Sequence, residues 1–563
     1  NLNWLIPHNK NQQIVKKLAS ELNVDMIISQ MLVNKGIETF DQAKDFFRPN
    51  TSQLHDPFLM KDMENAVERT LTAIKQKEFI MVYGDYDVDG TCSVAVLSSY
   101  LKEIGAKVDT YIPDRNIEGY GISLKGIDKA IKNKQSLIIA LDCGIKAHYQ
   151  VDYATKNNID IIICDHHHPD LTIPKAYAIL NPKRKDCSYP FKELCGCGVG
   201  FKLIQALNIK KNQEIDNIIH YLDLVALAVA ADVVPLVGEN RVFTYIGLQI
   251  INSNPRKGLN FILKEKIKKE YDIRDLMFFI APRINAAGRM DHANVALDLL
   301  IEQDDNILMK LKNKIEILNN LRKETESNTV NDSIEMIDNE ELETSSSTIV
   351  YKENWNKGVI GIVASRLVDK YYRPAIVFCK SSNGNLTGSA RSIKGLDLTK
   401  ILLNCKKLLI NYGGHQYAAG ITISEENLSI FRQKFDLEIQ NILKNKSPEK
   451  EINIESQLNF DSITPKFVRI LKQFEPFGPG NLSPVFFSKD LKIKGEIKKL
   501  GTSNEHLKIN VFQNANVTYP AIGFWKSEKA DSISKNSFQM AFTIEENNWK
   551  GKISTQLNIK DLK

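Results

Sequence analysis

Between residue 79 and about residue 235 the apolar residues fall into short continuous runs separated by stretches with helical spacing. Phe79-Ile80-Met81-Val82, Leu137-Ile138-Ile139-Ala140-Leu141 and Ile159-Asp160-Ile161-Ile162-Ile163-Cys164 have the length and branched side chains of buried strands. Thr91-Cys92-Ser93-Val94-Ala95-Val96-Leu97 instead repeats its apolar positions as a helix does, and the apolar body from Tyr221 to Asp232 predicts a buried helix ending at an acid. Such alternation predicts an α/β fold, a parallel sheet with helices on its faces, over a first domain spanning 56–304.

Beyond it the pattern changes. Residues 305–347 are rich in Lys, Glu, Asn and Leu at helical spacing and end in Glu343-Thr344-Ser345-Ser346-Ser347, which predicts a long connecting helix and a linker. A smaller α/β domain is expected at 348–445, where Gly358 to Arg366 opens a helix and Ala375-Ile376-Val377-Phe378 reads as a strand. A polar linker, Lys444-Asn445-Lys446-Ser447-Pro448, follows. From 450 to 563, alternating runs such as Leu507-Lys508-Ile509-Asn510-Val511-Phe512 predict a small β-barrel, and residues 1–55 are left as an N-terminal cap.

Composition narrows the class. Hydrophobic content of 43% with 25% charged residues is ordinary for a water-soluble protein, and no apolar run approaches the ~20 residues that cross a bilayer. The start carries no basic-then-apolar segment, so a cytoplasmic protein without membrane partners is the expectation. A net charge of +6 is small, so a polyanion would have to be held by a local groove. Eight cysteines are too sparse for a disulfide scaffold. Cys195-Gly196-Cys197 has the wrong spacing for common zinc modules, and with Gly198 and Gly200 it reads as a tight turn before a helix.

The strand-like runs end in acids. Gly84-Asp85-Tyr86-Asp87-Val88-Asp89-Gly90 follows the first, Asp142-Cys143-Gly144 the second and Asp165-His166-His167-His168 the third. In an open α/β sheet, ligands collect beyond the carboxyl ends of the strands, so these acids are expected to converge. Carboxylates gathered in one patch need cations to neutralise them, and hard oxygen ligands favour Mg²⁺ or Mn²⁺. A calcium loop is disfavoured because its later ligands and its closing Glu are missing. With Asp232, the set suffices for two divalent ions able to activate water and stabilise a phosphoryl displacement.

These motifs resemble the DHH phosphoesterase superfamily, named for the triplet found here as Asp165-His166-His167. Gly84 to Gly90, Asp142-Cys143-Gly144 and Ala231-Asp232-Val233-Val234-Pro235-Leu236 follow in the family's order. Pro282 to Met290, Gly388-Ser389-Ala390-Arg391-Ser392, Gly413-Gly414-His415 and Phe474 to Asn481 are similar to its branch of single-strand-specific exonucleases. The resemblance implies 5′-to-3′ hydrolysis of single-stranded DNA to 5′-mononucleotides in repair and recombination, with a single-strand-binding protein and a helicase as companions. It assigns Asp87, Asp89, Asp142, His166 and Asp232 to a centre of two Mn²⁺ or Mg²⁺ ions, Asp142 bridging, with Asp85, His167 and His415 as catalytic residues beside it. Arg115, Arg289, Ser389 and Arg391 are similar to its phosphate contacts, while Arg283 is open between that role and a structural ion pair. Tyr83 stands where some members carry a metal-binding His, and His168 reads as a solvent-facing loop residue. The 348–445 region resembles the DHH-associated domain and the barrel an oligonucleotide-binding fold, in which Phe512, Phe524 and Trp525 could stack on bases but are expected to be core. The other readings are a small-substrate phosphodiesterase or pyrophosphatase, which needs no barrel, and a DNA-binding replication scaffold with an inactive core, which needs no intact acids.

Overall fold

The computed structural model describes residues 2–6, 11–339, 345–444, 448–514, 517–533, 537–549 and 552–563. The polar boundaries expected at 343–347 and 444–448 therefore fall partly outside the described residues. The chain forms two compact units, Leu54–Pro448 and a second that joins Asn1–Gln53 to Glu449–Lys563.

The first unit opens with a parallel sheet whose strands stand in the order Lys107–Tyr111, Phe79–Gly84, Leu137–Leu141, Asp160–Cys164, Ala178–Leu180. Leu137–Leu141 is buried at every position, as its unbroken apolar run requires of a strand covered on both faces. The helices Val88–Glu103, Gly196–Lys210 and Leu222–Asp232 pack into the core on one face. Leu124–Lys132 and His148–Lys156 cover the other through Ile127, Ala130, Val151 and Ala154. A helix of 35 residues, Asp305–Asn339, then runs about 50 Å at 1.5 Å per residue. It leads into a five-stranded mixed sheet ordered Asn411–His415, Ala418–Ile423, Leu386–Arg391, Ala375–Lys380, Thr348–Tyr351, with the helices Ile360–Tyr371 and Leu428–Leu443 in its cores.

In the second unit, Phe486–Ile493 pairs with both Phe538–Trp549 and His506–Phe512. The chain of neighbours through Lys552–Leu562 and Thr518–Gly523 thus returns to its start and closes a five-stranded barrel, with the helix Ala530–Ile533 after the third strand. The N-terminal cap shares that core: Val15, Leu18, Ile28, Met31 and Leu32 are buried in one cluster with Phe467, Phe474 and Phe486. Asn3–Leu5 also pairs in parallel with Glu451–Asn453. Two aromatics expected in the core are not there. Phe524 is 49% and Trp525 71% exposed, because they leave the strand Thr518–Gly523 at its end, where the alternation that would bury one of them has stopped; Phe512 is half-buried.

Candidate metal centre and phosphate cluster

Phe79–Gly84 and Leu137–Leu141 lie side by side, and the chain leaves them toward opposite edges of the sheet. The crevice between their carboxyl ends is where ligands bind in such sheets. Asp85 and Asp87 follow the first strand, Asp142 the second and the Asp165-His166-His167 turn the third, while Asp232 ends the helix Leu222–Asp232. Ligand atoms of Asp85, Asp87 and Asp142 lie within 4.8 Å of one another, as do those of Asp89, His166 and Asp232, and those of Asp142, His166 and His167. Asp142 and His166 each belong to two of these groups. His166 Nε2 stands 3.3 Å from Asp142 Oδ1 and 3.6 Å from Asp232 Oδ2.

Local chemistry places each acid. Asp87 caps the helix Val88–Glu103, its Oδ1 accepting from Gly90 N at 3.0 Å. Gly90 admits no side chain, since a Cβ would lie 2.4 Å from the Asp85 carbonyl oxygen. Asp89, in the first turn of that helix, accepts from Gly196 N and Cys197 N at 2.7 Å each, the free donors at the start of the helix Gly196–Lys210. The Cys195-Gly196-Cys197 segment is therefore a helix-opening turn, with Cys195 Sγ accepting from Gly198 N at 3.2 Å. Asp142 itself has φ of 59°, a conformation that aspartate tolerates better than most residues, and its carbonyl accepts from the Tyr120 hydroxyl at 3.1 Å.

Burial, reinforced by neighbouring carboxylates, pushes Asp85, Asp142 and Asp232 well above the usual carboxylate range, and raises Asp89 to about 7. Asp85 Oδ1, Asp142 Oδ1 and His166 Nε2 are buried without a hydrogen-bond partner. Unpaired buried acceptors beside mutually repelling carboxylates are what a divalent cation would satisfy. Burial also holds His166 down to about 3, so its imidazole is neutral and free to ligate.

Asp165 has a different role from the other acids. Its Oδ1 accepts from the backbone N–H groups of His166 at 2.8 Å and His167 at 3.1 Å and lies 2.7 Å from His167 Nδ1, while Oδ2 accepts from Ile145 N at 2.9 Å. Burial opposes its charge, but His167, His166 and the backbone N–H of Ile145 together outweigh burial and bring it down to about 2; the Asp165 contact in turn helps raise His167 against its own burial. His167 stacks on His415 with ring centroids 6.2 Å apart and planes 12° from parallel, so the smaller domain reaches the centre. His168 is exposed, as a solvent-facing loop residue should be, with its ring edge-on to His415 at 6.5 Å. Tyr83 is fully buried, donating to Gly121 O at 2.9 Å and accepting from Ser123 N at 3.0 Å, so it braces the loop that carries Arg115 and Tyr120.

The arginines form a second cluster. Arg391 donates to Ser389 Oγ at 3.1 Å, and a Cβ on Gly361 would come within 3.0 Å of both side chains. Arg289 donates to Gly358 O at 2.7 Å, and the Arg115 guanidinium lies 4.3 Å from the centre of the Tyr86 ring. Burial, then repulsion from Arg115 and Arg391, lowers Arg289 to about 9, and burial with Arg115 lowers Arg391. Three guanidiniums close enough to repel one another form a site for an anion. Arg283 is outside it: it pairs with Glu316 at 2.7 Å and stacks on Phe279 at 3.8 Å, which makes it structural. Lys183, which no motif singles out, borders the centre, its charge acting on Asp232, His166 and His415.

The DHH family N-terminal domain matches residues 79–229, the DHHA1 domain residues 345–441 and the RecJ OB domain residues 454–561. The single-stranded-DNA-specific exonuclease RecJ of Bacillus subtilis strain 168 is 35% identical over 566 residues, covering 100% of this chain and 70% of that protein. This chain belongs to the RecJ family. The Escherichia coli K12 RecJ is 33% identical over 76% of this chain and 78% of its own length. The crystal structure of Thermus thermophilus RecJ in complex with Mn²⁺ superposes with a TM-score of 0.85 at 25% identity, covering 100% of this chain and 79% of that one. The α/β class, the DHH and DHHA1 domains and the C-terminal oligonucleotide-binding barrel are thus those of RecJ proteins. Among the described residues no helix is long and apolar enough to cross a membrane.

Proposed function

We propose that this chain is a metal-dependent exonuclease that removes 5′-mononucleotides from single-stranded DNA in the 5′-to-3′ direction. The observation that carries the reading is the convergence of overlapping carboxylate and imidazole groups, with ligand atoms within 4.8 Å of one another in each group, beside a cluster of mutually repelling arginines. Asp85, Asp87 and Asp142 would hold one Mn²⁺ or Mg²⁺, and Asp89, His166 and Asp232 another; Asp142 Oδ1 also stands 3.3 Å from His166 Nε2. Bound there, the cations supply Lewis acidity that eases deprotonation of a water and offsets charge on the attacked phosphate.

The chain's own residues do the rest. Arg115, Arg289, Ser389 and Arg391 hold the terminal 5′ phosphate, and this fixes the scissile linkage one nucleotide inward. His167, oriented by Asp165 and backed by His415, handles the proton of the leaving 3′ oxygen. The exposed Phe524 and Trp525, with His506 between them at 5.2 and 5.1 Å, offer stacking faces for unpaired bases. A small-substrate phosphodiesterase would have no use for such a barrel, and an inactive scaffold none for a complete set of acids. An enzyme confined to unpaired cytoplasmic DNA requires the duplex to be opened and the strand kept open, which supports a helicase and a single-strand-binding protein as partners.

Digestion of end-labelled single- and double-stranded oligonucleotides with Mn²⁺, Mg²⁺ or chelator tests the reading. The expected result is metal-dependent loss of 5′-labelled mononucleotides from single strands only. Loss from the 3′ end, or equal attack on duplex, would overturn it.

A further inference from the structure

Lys183 follows the strand Ala178–Leu180 in the segment Asn181-Pro182-Lys183-Arg184. Its position is tied to the catalytic turn: Lys183 N donates to Asn181 Oδ1 at 2.8 Å, and Asn181 Nδ2 donates to His167 O at 2.9 Å. The side chain is 13% exposed, yet its one ion pair among the described residues is a 3.5 Å approach to the half-exposed Glu193. A cation so nearly buried with so weak a partner is available to another anion. Its charge acts on Asp232, His166 and His415, whereas the arginine cluster bears on the Asp85 and Asp87 end, through Arg115 on Asp85 and Asp87 on Arg289. The cationic groups therefore border the metal centre at two ends.

We propose that Lys183 binds the backbone phosphate that follows the scissile one, on its 3′ side, and so is a substrate-contacting residue of the exonuclease. The proposal rests on the exonuclease reading. With the terminal phosphate on the arginines and the scissile phosphate at the carboxylates, the next phosphate of the strand lies toward Asp232 and His415, the end that Lys183 borders. Lysine suits the position because a point charge on a flexible stem can follow a backbone that advances after each cut.

The proposal separates substrates by length. A 5′-phosphorylated dinucleotide has a terminal and a scissile phosphate but none beyond, so Lys183→Gln should cleave it in Mn²⁺ at the wild-type kcat/KM. On trinucleotides and longer strands the same variant should lose about tenfold, the usual size of one charge-assisted contact. In chelator, the salt dependence of binding to 5′-phosphorylated oligo(dT) should become shallower by about 0.7 in log–log slope, the value for one phosphate contact on a single strand, and Lys183→Arg should restore it. Glu193→Gln is the control: it should leave the slope unchanged or steeper. If Lys183→Gln instead slows dinucleotide and long strand alike with an unchanged slope, or if Glu193→Gln reproduces its effects, Lys183 is a structural partner of Glu193 and the proposal is overturned. Failure of the wild-type protein to cleave any of these strands would instead refute the exonuclease reading itself.

Discussion

Asp142 concentrates the demands on the centre in one residue: a left-handed backbone, a buried unpaired oxygen and membership of two ligand groups. Asp142→Ala should lower cleavage by on the order of a thousandfold, the several kcal/mol that metal ions supply. Single-stranded DNA binding should fall much less, because phosphate contacts elsewhere carry it. Near-normal turnover of this variant in Mn²⁺ would sink the two-ion assignment. Asp89 gives a second test, through pH. A carboxylate raised to about 7 from 3.8 disfavours the fold by an amount that is absent below the ordinary value, grows with pH and is complete above about 7. Metal-free protein should therefore melt at a lower temperature at pH 8 than at pH 6, and Mn²⁺ should stabilise it more at pH 8. Thermal melts with and without chelator check this; parallel pH dependences in the two conditions would show that the acids do not take up the ion. At Arg391, truncation to Ala should erase a preference for 5′-phosphorylated over 5′-hydroxyl strands of about ten- to a hundredfold, since bonds to a charged group contribute about 1.5–3 kcal/mol. An unchanged ratio of the two rates would assign Arg391 to structure.

Among the elements, the start of the helix Gly196–Lys210 matters most, because Asp89 grips its first N–H groups while Asp142 packs on Gly196. A Cβ at residue 196 would stand 2.5 Å from the Asp142 Cβ and 2.6 Å from its Oδ1. Gly196→Ala should thus cost about 1–3 kcal/mol through overpacking and weaken Mn²⁺ binding more than it lowers the melting temperature. Calorimetric metal titration beside a thermal melt separates the two effects. The strand-end acids were legible in the sequence because unbroken apolar runs of strand length admit only a covered parallel sheet, and that topology gathers whatever follows each strand. The division of labour inside the triplet was not legible. Asp165, unlike Asp142, has its carboxylate oxygens held by backbone N–H groups and by His167 Nδ1 two residues on, which depends on how a turn closes. Lys183 was equally invisible, since a single lysine beside a proline carries no period or spacing.

At the scale of the whole molecule, the sequence placed a barrel at the C-terminus but could not join it to residues 1–53, because that union rests on packing between segments about 400 residues apart. The same remoteness hid the exposure of Phe524 and Trp525, which burial preferences alone put inside. The union changes how a truncation must be made. Deleting 449–563 alone would strip Val15, Leu18, Ile28 and Leu32 of their partners and should give an aggregating protein. Deleting 1–53 as well should leave residues 54–448 with a cooperative melt and cleavage of short oligonucleotides, but weaker binding to long strands. Long-strand affinity equal to that of the full chain would remove the barrel from DNA retention. The arrangement also orders events on the ribosome. At roughly 5–20 residues per second, the N-terminal segment emerges about 20–80 s before the sequence that completes its core, while the intervening unit has all of its own partners and can fold at once. A nascent chain of this protein therefore carries the apolar faces of residues 15–47 without their partners while residues 54–448 are made, and its yield in cells should depend on whatever shields that segment.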